Sequence, residues 1–143
     1  MKKFEDFISE GQARKITPDK SRALSLIKKA NERDEYISSL NESPSAAKTI
    51  IFEGLYEALK EYLDALLLVD GFISYSHEAS IVYLQKFPSF TEYEVREFDN
   101  FRKIRNNSKY YGKPIQEDHL IRIKKLFPIL KNKLLKMLKE KGV

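Results

Sequence analysis

Apolar side chains at Ile51, Leu55, Ala58, Leu59, Tyr62, Leu63, Leu66 and Leu67 recur at intervals of three and four residues. That spacing puts them on one stripe of an α-helix; a strand, whose side chains alternate between faces, cannot gather them on one side. The pattern predicts a helix from about residue 46 to residue 69, closed by Asp70-Gly71. At about 1.5 Å per residue it spans roughly 35 Å, the height of a helical bundle.

The rest of the chain reads as further helices with short breaks. A short amphipathic piece covers about residues 2–11. Thr17-Pro18-Asp19 then supplies an N-cap, a proline at the first helical position and an early acid. Leu24, Ile27, Ala30, Tyr36, Ile37 and Leu40 continue that helix to about residue 41, where Ser43-Pro44-Ser45 ends it and caps the next. Ser74–Ser76 is expected to cap a shorter helix carrying Ile81, Val82, Leu84 and Phe87, broken at Phe87-Pro88-Ser89. Thr91 and Glu94 form a capping box. Behind it Val95, Phe98, Phe101 and Ile104 point inward as far as about Tyr111, and Gly112-Lys113-Pro114 stops the helix. A last helix, about residues 116–139, carries Leu120, Ile123, Phe127, Leu130, Leu134, Leu135 and Leu138. Pro128 sits inside it and is expected to kink it or split it.

With 143 residues, 42% of them hydrophobic, the chain can bury a core, and no repeat or linker divides it. Five Gly and five Pro leave little loop and disfavour an all-β fold. Four long helices with short connections imply mostly antiparallel neighbours. The expected architecture is one all-α domain over residues 1–143, an up-down four-helix bundle with short helices at its ends or sides.

Several chemistries are excluded. Without Cys there is no disulfide, zinc ribbon, iron–sulfur cluster or catalytic thiol. The longest apolar run, Ala65 to Val69, is too short to cross a bilayer. Charge mixed into Phe4-Glu5-Asp6-Phe7 argues against a signal peptide, so the cytoplasm is the expected compartment. Absence of Cys and Trp with abundant Lys and Glu hints at a thermophilic source. There is no glycine-rich phosphate loop, H-E-x-x-H or G-x-S-x-G. His77 and His119 stand at helix starts without metal-ligand spacing and read as solvated or capping residues. Glu53, Glu57, Glu61 and Asp64 form a stripe on the third helix. Such a stripe can line a bundle interior and hold metals, or lie exposed with partners such as Lys60. The Glu-x-x-His pairs of di-iron bundles are missing, so no metal or cofactor is expected.

Net charge is +5 and unevenly placed. Arg122 to Lys141 holds eight basic residues against Glu140 alone, and reads as a solvated helix face. Arg102 to Lys113 holds five basic residues and no acid, a field that attracts polyanions. Arg102 and Arg105 share a helix face, with Asn106 and Lys109 adjoining. The planar guanidinium fork suits phosphate, and Asn106 both donates and accepts. Tyr110 and Tyr111 offer stacking surfaces and a phenol proton. Two readings stay open on this chemistry: a contact for an RNA backbone, or cations that complement a helix dipole.

At this stretch the chain resembles the HEPN family, whose hallmark is an Arg, a short spacer and a His near the end of a bundle helix, often with Asn after the Arg. Arg105-Asn106 match its start. Leu55-Tyr56-Glu57-Ala58-Leu59, Ala65-Leu66-Leu67, Gly71 and Ser76-His77-Glu78-Ala79 resemble the long helix, glycine break and following helix start of prokaryotic members. The similarity covers about residues 20–135. It implies a four- or five-helix bundle that dimerises across a cleft. It further implies either a metal-independent endoribonuclease toxin paired with a minimal nucleotidyltransferase antitoxin, or an RNA- or nucleotide-binding subunit without nuclease activity. Arg105 would hold the phosphate, Asn106 would position it, Arg102, Lys109 and Tyr111 would add contacts, and Tyr110 would stand in the family's His position. That substitution is the departure from the pattern. A phenol with a pKa near 10 is a poor base at neutral pH, where an imidazole serves well.

Overall fold

The computed structural model describes residues 1–41 and 45–143. The chain is mostly helical, with a short two-stranded sheet. In order the elements are α1 (Phe4–Ser9), β1 (Ala13–Lys15), α2 (Lys20–Ser38), α3 (Ser45–Asp70), β2 (Phe72–Ser74), α4 (His77–Val82) with a 3₁₀ turn at Tyr83–Lys86, α5 (Glu92–Tyr111) and α6 (Glu117–Glu140). The break expected at Ser43-Pro44-Ser45 involves residues 43 and 44, which lie outside the described residues.

Helix α3 is the centre. Phe52, Tyr56, Leu59, Tyr62, Leu63 and Leu66 on it are fully buried. Along α2 the partners on α3 descend: the Asp19 N–H bonds the Leu68 carbonyl, Asn31 meets Tyr62, and Ile37 lies against Gly54. The two helices are therefore antiparallel. Along α6 the partners ascend, from Glu117 with Lys48 through His119 with Phe52 to Lys141 with Asp70, so α6 runs parallel to α3. Phe98 and Phe101 of α5 pack edge-on against Tyr56 and Phe52 at ring separations of 6.1 and 5.9 Å.

The start of α2 differs from the sequence expectation. Asp19, rather than Thr17, is the N-cap, its carboxylate accepting the Arg22 N–H at 2.9 Å. The reason is tertiary. Ile16 donates to the Gly71 carbonyl at 2.8 Å and Asp19 to that of Leu68 at 3.0 Å, which ties Ile16–Asp19 against the end of α3. Gly71 has φ +87°, and a Cβ there would sit 2.9 Å from the Ile16 carbonyl, so both backbone shape and close approach call for glycine. The two strands were not expected either. Ala13, Arg14 and Lys15 pair antiparallel with Ser74, Ile73 and Phe72, and three residues are too few to display a period of two.

Pro128 does not split α6, which is continuous from Glu117 to Glu140. Its ring faces solvent. Leu126, Phe127, Leu130, Leu134 and Leu138 are buried on either side, and burying several such side chains outweighs the ~3 kcal/mol that an interior proline costs. The short helix near residues 77–87 is a six-residue α-helix followed by the 3₁₀ turn. The basic face of α6 is not merely solvated: Arg122, Lys131, Lys133 and Lys141 reach Glu97, Asp34, Glu94 and Asp70 on other elements at 2.6, 2.5, 2.7 and 2.7 Å. At least four of the eight cations from Arg122 to Lys141 thus serve packing.

Candidate functional site

The capping box at the start of α5 forms as the sequence implies, with Thr91 and Glu94 bonding each other's backbone N–H groups at 3.1 and 2.9 Å. At the other end Gly112 closes the helix in the left-handed conformation, φ +66°. Val95, Phe98 and Phe101 form its buried stripe. One turn further along that stripe come Arg102 and Arg105. The Arg105 residue retains only 9% of its surface, which is rare for a cation unless it is paired.

The pairing is provided across helices. Arg105 donates from Nη2 to Glu57 Oε1 of α3 at 2.9 Å and from Nη1 to Asn106 Oδ1 at 3.2 Å. Its guanidinium carbon stands 5.8 Å from the centre of the Tyr56 ring. Arg102 donates from Nε to Asp99 Oδ1 at 2.7 Å, and its Nη2 lies 3.8 Å from Glu78 Oε2 at the start of α4. Among the described residues, Arg105 Nε and Arg102 Nη1 have no hydrogen-bond partner. No buried side-chain nitrogen lacks a partner among those residues, so both donors retain access to solvent. Asn106 is half-buried beside Arg105 and Lys109 is exposed.

His77 joins this cluster, which corrects its reading as a solvated or capping residue. The half-buried ring stacks on Tyr56 at 5.9 Å and 21°, and its Nδ1 lies 2.9 Å from the Tyr56 hydroxyl. Tyr56 is fully buried; burial first, then Glu57, drives its ionisation well above the ordinary phenol range, so it is a hydrogen-bond donor. The His77 pKa falls to about 4, chiefly through burial and then through Lys60, Arg105, Arg102 and Lys109. The imidazole is therefore neutral at neutral pH. Beside it Lys60 pairs with Asp64 at 2.8 Å, and the buried Ser80 hydroxyl bonds Asp64 at 3.2 Å.

Tyr110 and Tyr111 are not in this cluster. They are 63% and 75% exposed. Five residues of helix rotate Tyr110 by roughly 140° away from Arg105, and its ring lies 5.7 Å from the Lys109 ammonium. His119 is separate as well; its Nδ1 accepts the Gln116 N–H at 3.1 Å and its ring meets Phe52.

The acidic stripe on α3 takes a third form, neither a metal-lined interior nor an exposed face. Glu57 and Glu61 pair with arginines of neighbouring helices, Glu61 with Arg33 at 2.8 Å, and only Lys60–Asp64 is an i,i+4 pair. Among the described residues no three His, Asp or Glu side chains group as metal ligands. The partners that sequence reasoning left out of the site are Tyr56, Glu57, His77, Glu78 and Asp99. The only local signal for any of them is Asp99, three residues before Arg102. In comparisons with known proteins, no family model, curated protein or solved structure matches this chain.

Proposed function

We propose that this protein is a HEPN-like helical bundle that binds the phosphate of RNA or of a nucleotide at Arg102, Arg105, Asn106 and Lys109. The observation that carries the reading is the buried Arg105 and the half-buried Arg102 on one face of α5, each keeping a donor that is neither paired nor fully buried among the described residues. Arg102, Lys103, Arg105 and Lys109 outnumber Glu57, Glu78 and Asp99 by four to three. An incoming phosphate therefore meets a net positive cluster. Tyr110 and Tyr111, exposed at the helix end, give flanking bases a surface to stack on. By the same likeness the protein pairs with a second copy or with a nucleotidyltransferase-type antitoxin.

Binding without cleavage is the favoured form. The phenol at the family's His position faces away from Arg105, and the one imidazole in the cluster has little basicity. The second reading is a metal-independent endoribonuclease, favoured by a neutral imidazole so close to Arg105. Fluorescence polarisation with a short labelled oligouridylate tests both. Affinity is expected to fall steeply with salt and to drop at least tenfold in Arg105→Ala and in Arg102→Gln, with helical content checked by circular dichroism. The RNA should stay intact in EDTA. Unchanged affinity in both folded variants refutes phosphate binding at this site; cleavage that Arg105→Ala abolishes establishes the nuclease.

A further inference from the structure

The Tyr56–His77 pair is an arrangement that the arginines do not require. The Tyr56 phenol is fully buried and bonds His77 Nδ1 at 2.9 Å. A buried hydroxyl proton must find an acceptor, and Nδ1 is the acceptor in reach. If Nδ1 accepts, the proton of a neutral imidazole resides on Nε2. Among the described residues Nε2 has no hydrogen-bond partner, and because no buried side-chain nitrogen there is left unpartnered, Nε2 reaches solvent. Burial first, and then the neighbouring cations, favours the neutral ring. His77 is thus a fixed N–H donor at the edge of the arginine cluster, with Glu78 next to it already in contact with Arg102 at 3.8 Å.

The geometry points to His77 as a further contact for the phosphate, donating its Nε2–H to a phosphate oxygen gripped by Arg102 and Arg105, with Tyr56 as the positioning residue that fixes this tautomer. The assignment rests on the phosphate-binding reading above. It gives His77 a binding role in which it neither gains nor loses a proton. It also accounts for a tyrosine buried under Arg105 that carries its hydroxyl to the imidazole rather than to a carboxylate.

The test uses the full chain, labelled with ¹⁵N, and a short oligouridylate as probe. Long-range ¹⁵N–¹H spectra of the histidine rings report tautomer directly, with His119→Gln identifying which signals belong to His77. Free protein is expected to show His77 protonated on Nε2, and added oligouridylate should shift that nitrogen while His119 stays still. His77→Ala should weaken binding roughly tenfold, the usual scale for one hydrogen bond to a charged acceptor. Tyr56→Phe should leave Arg105-dependent binding but yield a mixture of His77 tautomers and a loss of roughly two- to fivefold, smaller than that of His77→Ala. A His77 protonated on Nδ1 in the free protein overturns the assignment. So does Arg105-dependent binding that leaves both the His77 signal and the His77→Ala affinity unchanged, and in that case the binding site itself survives. Absence of any Arg105-dependent binding removes both.

Discussion

Glu57→Gln separates a binding role for Arg105 from a purely structural one, because only the binding role predicts a rise in affinity. The carboxylate of Glu57 holds Arg105 at 2.9 Å, with side-chain exposures of 31% and 10%. Gln keeps the shape and an accepting oxygen but removes the charge. Folding should weaken by about 1–3 kcal/mol, since the buried guanidinium keeps a hydrogen bond but loses its anionic partner. Phosphate binding should strengthen, because an anion beside the one that binds has disappeared. Two charges about 6 Å apart repel by roughly 0.7 kcal/mol in water and roughly 2.8 kcal/mol at an effective dielectric of 20. Glu57 is partly solvated, so the lower end applies and affinity should rise about three- to tenfold. Urea denaturation gives the first quantity; polarisation with the labelled oligouridylate at low salt gives the second. A folded Glu57→Gln protein whose affinity is unchanged or lower refutes the argument, and leaves Arg105 as an ion pair that only ties α5 to α3.

Two further outcomes follow from the geometry. His77 titrates at about 4 in the fold against 6.5 unperturbed. The unfolded chain therefore binds more protons in that window, and stability present above about pH 6.5 is lost as pH falls through 4. The full effect is at most about 3 kcal/mol, and screening at a half-buried ring reduces it to roughly 1–2 kcal/mol. Urea denaturation at pH 7 and pH 4 should show this loss in the wild type relative to His77→Gln; parallel curves contradict it. At Gly54, an added Cβ would lie 2.6 Å from Ile37 Cγ1 and collide with its Cδ1. Gly54→Ala gains about 1 kcal/mol of helix propensity but loses about 1–3 kcal/mol to overpacking, so a lower melting temperature is expected, partly restored when combined with Ile37→Val. A higher melting temperature would mean that α2 and α3 are less tightly apposed at this point.

Local patterns made the long helices legible. The 3.6-residue stripe of α3 and the caps of α5 are written in residues three or four apart, so they can be read without knowing what packs against them. Pro128 shows the limit of such rules: its local penalty is real, yet the leucines that bury α6 decide the outcome. The two strands escaped because each depends on a partner far along the chain rather than on its own composition. In the site, Arg102, Arg105, Asn106 and Lys109 stood out as an unbalanced basic stretch. Their environment did not, since Glu57 lies 48 residues before Arg105, and His77 lies 21 residues beyond its partner Tyr56.

The sequence alone determined that this chain forms mostly helix, where α3 and α5 lie and which cations α5 concentrates, because helical period, capping and charge are carried by near neighbours. Only the tertiary structure decided that Arg105 is buried on Glu57, that Tyr56 meets the imidazole of His77 beside it, and that Tyr110 turns outward. Those outcomes depend on which helix faces meet, and the meeting is settled by burial of the whole core rather than by any one segment.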